Sequence, residues 1–170
     1  MPMRDYFPGL VHLGDATQFI DRIAGIIDRI RMFEDFSYEE VRRLAVRMPC
    51  YAAPAGTVLV AEGEQGDFAL FVVSGRVRVL KRDHAGGERD IGDVAAGEIL
   101  GEMSMIDGRP RVATCAAAVA TEFAVIDREA LTGLLAEDAQ LGIKVLIELV
   151  QHLSQKLRIA STRLAELLAV

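Results

Sequence analysis

The sequence is poor in the residues from which metal sites, disulfides and membrane spans are built. Among 170 residues there are 2 cysteines and 3 histidines. Cys50 and Cys115 lie far apart with no CxxC, and His12, His84 and His152 are scattered. That leaves no metal set and no disulfide framework, and both cysteines are expected to be reduced residues of core or strand. No run of about 18 apolar residues occurs, so no membrane-spanning helix is expected. The opening residues Met1-Pro2-Met3-Arg4-Asp5-Tyr6 lack the layout of a secretory signal, which predicts a soluble, cytoplasmic protein. Basic residues are also in deficit, with 19 Lys and Arg against 25 Asp and Glu and a formal charge of −6. A broad phosphate-backbone footprint needs a basic face, so direct contact with nucleic acid is not expected. No nucleophile and base stand at a recognisable spacing, and the chain is not expected to be an enzyme. It shows neither internal repeats nor low-complexity tracts.

What is present is regular turn spacing. Gly56, Gly66, Gly75, Gly86, Gly97 and Gly108 recur at intervals of 9 to 11 residues, the rhythm of short antiparallel strands in sandwiches and rolls. Val58 with Val60, Val77 with Val79, and Phe123 with Val125 lie two apart and are expected to share faces. Phe68 to Val73 is a nearly continuous apolar run suited to burial on both sides. The fold class is therefore mainly β, an eight-stranded antiparallel jelly roll or β-roll with N-terminal helices and a long C-terminal helix. A chain of this length suits one domain that buries roughly two-thirds of its unfolded surface.

Residues 1–36 form the N-terminal helical segment in this reading, with a linker-like stretch up to Gly14. Asp15 caps a helix from about Ala16 to Met32, whose stripe is Phe19, Ile20, Ile23, Ile27 and Ile30. Residues 37–136 carry the roll, entered through a short helix whose capping box is Ser37 and Glu40. Asp127 caps a helix bearing Leu131, Leu134 and Leu135. Residues 137–170 are a long helix capped by Asp138 and running to about Leu168. Along it Ile143, Leu146, Val150, Leu153, Leu157, Ala160, Leu164 and Leu167 alternate spacings of three and four, which describes a coiled-coil seam or an amphipathic helix lying on its own core. Leu149 and Leu168 widen the stripe enough for both.

The most informative stretch runs from Leu100 to Thr114. Gly101 lets backbone approach a ligand, and Glu102-Met103-Ser104-Met105-Ile106 can make one helical turn whose free N–H groups favour an anion. Glu102 is an acceptor only, which suits a ligand that also offers a hydroxyl. Nine residues later Arg111 supplies a permanently charged planar fork after the turn Gly108-Arg109-Pro110. One cation for a phosphate and one acceptor for a sugar hydroxyl make a minimal site for a phosphorylated sugar. Ser104 either donates towards the phosphate or simply fills a small-residue slot. Arg109 is expected to face solvent, Asp107 to tip the turn, and His84 to sit in a solvated hairpin. Met103 and Met105 are expected to fill core gaps or the pocket wall.

These residues closely resemble the phosphate-binding cassette of the cyclic nucleotide-binding domain family, the type found in catabolite activator protein and protein kinase A regulatory subunits. Gly101, Glu102 and Arg111-Val112-Ala113-Thr114 match its pattern. Pro54 to Leu59, Glu62 to Asp67, Val73 to Val79 and Met32 to Glu40 resemble its first strands, turns and helical entry. The resemblance implies that Arg111 pairs with a cyclic phosphate and Glu102 takes the ribose 2′-hydroxyl, with Gly101, Met103, Ser104, Val112 and Ala113 around them. It also implies a parallel homodimer through residues 143–167, with Ser161, and less so Thr162, reaching the base. Val112 stands where threonine is associated with guanine recognition, and valine offers no hydrogen bond, so cyclic AMP (cAMP) is favoured over cyclic GMP (cGMP). Leu100 and Ser104 replace the family's usual phenylalanine and alanine. The expectation is a stand-alone bacterial regulator without a DNA-binding module, acting through an unidentified effector protein. The alternatives are a ligand-independent dimerisation module, with Val112 crowding the phosphate site, and a cyclic di-GMP sensor.

Overall fold

The computed structural model describes residues 5–27 and 36–168. They fall into two compact units, divided between Leu131 and Thr132.

The first unit is a sandwich of two antiparallel sheets. One contains β1 (Val11–Asp15), β2 (Pro49–Ala53), β9 (Thr121–Asp127), β4 (Phe68–Ser74) and β7 (Ile99–Leu100), in that order across the sheet. The other contains β3 (Val58–Val60), β8 (Thr114–Ala117), β5 (Arg76–Arg82) and β6 (Glu88–Ala95). Tyr51, Leu70, Val72, Leu100, Phe123 and Val125 of the first sheet meet Leu59, Val60, Val77, Val94, Cys115 and Ala117 of the second in one core cluster, by strand alternation everywhere but at the consecutive Leu59 and Val60. Each fully buried Val, Leu or Phe among them contributes about 1.5–3 kcal/mol. β4 is apolar on both sides because both of its faces are covered, as its unbroken apolar run requires. On its outer side Phe71, together with Ala124 of β9, lies beside Ala16, Ile23, Val41, Leu44, Ala45 and Met48.

The helices behind that outer face begin where the sequence places their caps. Asp15 accepts from Thr17 N at 2.9 Å, opening a 3-10 turn (Ala16–Phe19) that continues into α1 (Ile20–Ile27). The expected continuation to Met32, with Ile30, lies outside the described residues. Ser37 and Glu40 form a complete capping box on α2 (Tyr38–Ala45). A short α3 (Glu102–Asp107) follows β7, and Asp127 Oδ1 accepts from Ala130 N at 2.7 Å at the start of α4 (Arg128–Glu137).

Two features depart from the expected pattern. The sandwich has nine strands rather than eight: the end of the linker-like stretch, Val11 to Gly14, together with the cap residue Asp15, pairs antiparallel with β2 from Val11↔Ala52 to Asp15↔Pro49. Val58 and Val60 do not share a face: the ladder with β8 shifts register between them, leaving Val58 54% exposed and Val60 6%. An extra residue in one strand breaks the period of two, which no apolar pattern reveals. Cys50 and Cys115 are both buried, and neither is in a disulfide. Burial, with the charges of Asp15 and Glu122 adding to it, pushes the Cys50 thiol up to about 12.

The second unit is dominated by α5 (Ala139–Leu168), 30 residues long, with Asp138 accepting from Leu141 N at 3.2 Å. Its buried positions are Leu141, Gly142, Val145, Glu148 and Leu149. Ile143, Val150, Leu157, Leu164 and Leu167 of the heptad stripe are exposed, Leu157 to 68%. Among the described residues no helix is long and apolar enough to cross a membrane. The end of α4 and the start of α5 approach closely at Gly142, where a Cβ would lie 2.7 Å from Leu135 Cδ2 and 2.9 Å from its Cα. Backbone cannot yield as a rotamer can. Gly142→Ala is therefore expected to cost about 1–3 kcal/mol, measured as a lower urea midpoint at unchanged m-value.

Candidate functional site

The expected cassette forms one connected structure at the end of β7. Leu100 closes the short pairing with Leu70 of β4. Gly101 then takes φ +78°, which allows α3 to start at once. An L side chain rarely adopts that conformation. Gly108, at φ +72°, ends the helix with its N–H on Ser104 O at 3.0 Å. From the start of α4, Arg128 reaches back to the same end, donating through Nε to Met105 O at 2.7 Å and through Nη2 to Ser104 O at 3.3 Å.

Arg111 is held first by its backbone. Its N–H donates to Glu64 O and its carbonyl accepts from Gly63 N, both at 2.8 Å, so the β3–β4 loop and the cassette are laced together. The side chain turns inward and the residue is 4% exposed. Its guanidinium lies over the Phe68 ring, 4.5 Å from the centroid, and Nη1 donates to Gly101 O at 2.7 Å. Nη2 is buried and has no hydrogen-bond partner among the described residues. A Cβ on Gly101 would sit 2.6 Å from Nη1, and one on Gly66 would collide with the same guanidinium. Two glycines and one aromatic ring thus make the slot. Burial pulls the Arg111 guanidinium below the ordinary arginine range, while acidic neighbours including Asp67, Glu102 and Glu64 pull it back up. A guanidinium does not give up its proton, so the slot contains a fixed charge with an unused donor, a costly arrangement until an anion meets it.

Glu102 is 1% exposed, and Ser104 and Ala113 are buried as well. Glu102 follows Gly101 directly, and the Arg111 fork donates to Gly101 O, so both groups of the expected site are buried next to that glycine in sequence or in space. Val112 is 51% and Met103 42% exposed, so neither is a core residue, whereas Met105 is buried. Arg109 is solvent-facing beside Asp107, and His84 lies in the exposed turn between β5 and β6. Ser161 and Thr162 belong to the second unit, on the exposed half of α5, where Thr162 Oγ1 donates to Arg158 O at 3.1 Å.

Several residues that shape the site were not singled out from the sequence. Phe68 read only as part of an apolar strand, and Gly66 only as a turn marker. Lys81 of β5 forms an ion pair with Glu62 at 2.7 Å and also donates to Val112 O. Arg82 N donates to the other oxygen of Glu62 at 2.9 Å. These bonds, the Lys81 one foremost, hold the Glu62 carboxyl below its usual range. They pin the β3–β4 loop and the cassette to β5. Among the described residues no group of three or more His, Cys, Asp and Glu is placed to hold a metal ion. What the arrangement can do is accept an anion at Arg111 beside a buried carboxylate acceptor.

Comparison with known proteins gives the same picture. Residues 52–138 match the family described as cyclic nucleotide-binding domain. The structure superposes on a cyclic nucleotide-binding domain from Methylobacillus flagellatus with TM-score 0.86 and 46% identity, covering 96% of this chain and 92% of that one. A CRP-like cAMP-activated global transcriptional regulator of Mycobacterium tuberculosis is 25% identical over 143 residues, 84% of this chain. A cyclic nucleotide-gated potassium channel of Rhizobium etli is 42% identical over 80 residues, 47% of this chain. The chain spans 62% of the length of the regulator and 20% of the channel.

The two slot glycines separate in their expected effects. Gly101→Ala combines a disfavoured φ with the clash at Arg111 and is expected to cost about 1–3 kcal/mol. Gly66 has no positive φ and meets only the movable end of Arg111, so Gly66→Ala is expected to cost less while displacing the guanidinium. Paired thermal melts check the order.

Proposed function

The chain belongs to the cyclic nucleotide-binding domain family, and from that premise we propose that it is a cyclic nucleotide sensor whose ligand is cyclic AMP. The domain is regulatory and non-catalytic. The observation that carries the proposal is the buried Arg111 fork with its unused Nη2, held between Gly66, Gly101 and Phe68. A cyclic phosphate supplies the missing acceptor and neutralises the buried charge. Glu102 then takes the ribose 2′-hydroxyl, and Gly101, Met103, Ser104, Val112 and Ala113 border the ligand. Val112 offers no hydrogen bond to a guanine, which favours adenine. Its half-exposed side chain does not crowd the slot, which weighs against the ligand-independent reading. Arg111 is the one arginine of residues 100–114 that turns inward, Arg109 being exposed, and a single buried fork suits one phosphate better than the two of cyclic di-GMP.

The output in this reading is the position of α5. Ligand favours one arrangement of that helix only by its differential affinity for it, with Ser161 as the base contact. The exposed heptad positions support a parallel homodimer through residues 143–167, whose state an effector protein reads. Leu157→Glu places a charge in that seam and is expected to turn a dimer into a monomer in sedimentation velocity.

Isothermal titration of protein freed of ligand by unfolding and refolding tests the site. Saturable binding of cyclic AMP, tighter than that of cyclic GMP, is expected. Arg111→Ala should weaken it by about two to four decades, equivalent to about 3–5 kcal/mol. Equal binding by that variant would remove Arg111 from the site.

A further inference from the structure

The interior of the sandwich next to Arg111 is occupied by a segment that belongs to neither sheet. Residues Asp5–Leu10 precede β1 without regular structure, and Tyr6, Phe7 and Leu10 pack against the core cluster between the sheets. Phe7 meets Phe68, Tyr51 and Phe123 edge-on at centroid distances of 5.7, 5.2 and 5.1 Å. Tyr6 meets Phe68 edge-on at 5.3 Å. Phe68 is the ring on which the Arg111 guanidinium lies, so the segment and the buried charge are separated by one side chain. A ligand whose anion reaches Arg111 and whose remainder extends between the sheets meets Tyr6 and Phe7.

We infer that Asp5–Leu10 is an intrasteric plug that competes with the ligand for the mouth of the roll. The inference rests on the cyclic nucleotide reading above. The segment is the piece of this wall most easily removed. Tyr6, Phe7 and Leu10 are partly buried while Asp5, Pro8 and Gly9 are exposed, and no sheet ladder holds the segment. Tyr6 N donates to Tyr51 Oη at 3.1 Å and Tyr51 Oη to Asp5 Oδ1 at 3.3 Å, while Phe7 N to Asp5 Oδ1 at 3.1 Å and Leu10 N to Phe7 O at 2.9 Å are bonds within the segment itself. The walls it touches are ladder-bonded strands, which open only at far greater cost. One further tie gives its departure a consequence. Tyr6 Oη donates to Oδ2 of Asp127, whose Oδ1 caps Ala130 N in the first turn of α4. The plugged state and the start of α4 therefore share one carboxylate, and release of the segment removes one of that carboxylate's two donors.

A protein whose binding-competent form is only partly populated shows an affinity reduced by that fraction. Removing the two rings removes several edge-to-face contacts. The Tyr6→Ala/Phe7→Ala variant is thus expected to bind cyclic AMP about 5- to 50-fold tighter than the parent chain, although less stable without ligand. Tyr6→Phe, which removes only the hydroxyl and its hold on Asp127, gives a smaller gain and guards against misfolding of the double variant. Hydrogen exchange of the amides of residues 6–10 supplies a readout that a purely structural role would not move: their protection should fall when cyclic AMP saturates the full chain. If cyclic AMP binds in an Arg111-dependent way, but neither variant changes affinity and residues 6–10 stay protected, the plug is overturned and the sensor reading stands. If the parent chain binds no nucleotide but the double variant does, both stand and the plug is simply tighter. If neither binds cyclic AMP, cyclic GMP or cyclic di-GMP, the sensor reading falls and takes the plug with it.

Discussion

A positive charge buried beside an aromatic ring is the constraint around which this domain is arranged. In a medium of low dielectric an unmatched guanidinium is tolerated only where other groups partly compensate it. Here a carbonyl, a ring face and surrounding carboxylates do part of that work, and one N–H is left over. The local structure follows from making room for the fork. Position 66 must lack a side chain, position 101 must lack one and also turn left-handed, and the chain around 111 must be laced to the preceding loop so that the fork enters at a fixed angle. Lys81, Glu62 and Arg128 then secure the loop and helix that carry these groups.

The sequence made the cassette legible because its chemistry is local. A left-handed glycine, one helical turn, a second left-handed glycine and an arginine follow each other within a dozen residues, and each has a strong conformational preference of its own. The helix caps at Asp15, Ser37, Asp127 and Asp138 were readable for the same reason. What could not be read depends on pairing across the fold. Val11–Asp15 alternates apolar and polar residues only over Val11-His12-Leu13, too short a run to mark a strand, and becomes one because the edge of β2 is available to it. The shift at Val58 exists only relative to its partner β8. Phe68 looked like any other core residue until the strand placed it under Arg111, and Gly66 acquires its meaning only from the side chain that fills the space above it.

The long helix shows how one sequence pattern can hold two messages. The heptad positions and the buried positions of α5 are different sets offset around the helix, with Leu141, Val145 and Leu149 on one side and Ile143, Val150, Leu157 and Leu164 on the other. A stripe wide enough for two jobs cannot be divided by counting spacings, since leucine at either set satisfies the same period. Burial separates them, and it leaves the heptad row largely exposed.

The aromatic cluster at the mouth of the roll also gives the protein an optical handle. The chain has no tryptophan and three tyrosines, and two of them, Tyr6 and Tyr51, are joined by a hydrogen bond in that cluster while Tyr38 stands apart at the start of α2. Two of the three tyrosines thus stand at the contact between the leading segment and the sheet, where a packed asymmetric environment makes their near-ultraviolet circular dichroism sensitive to it. The folded domain reports on its own entrance without any label attached.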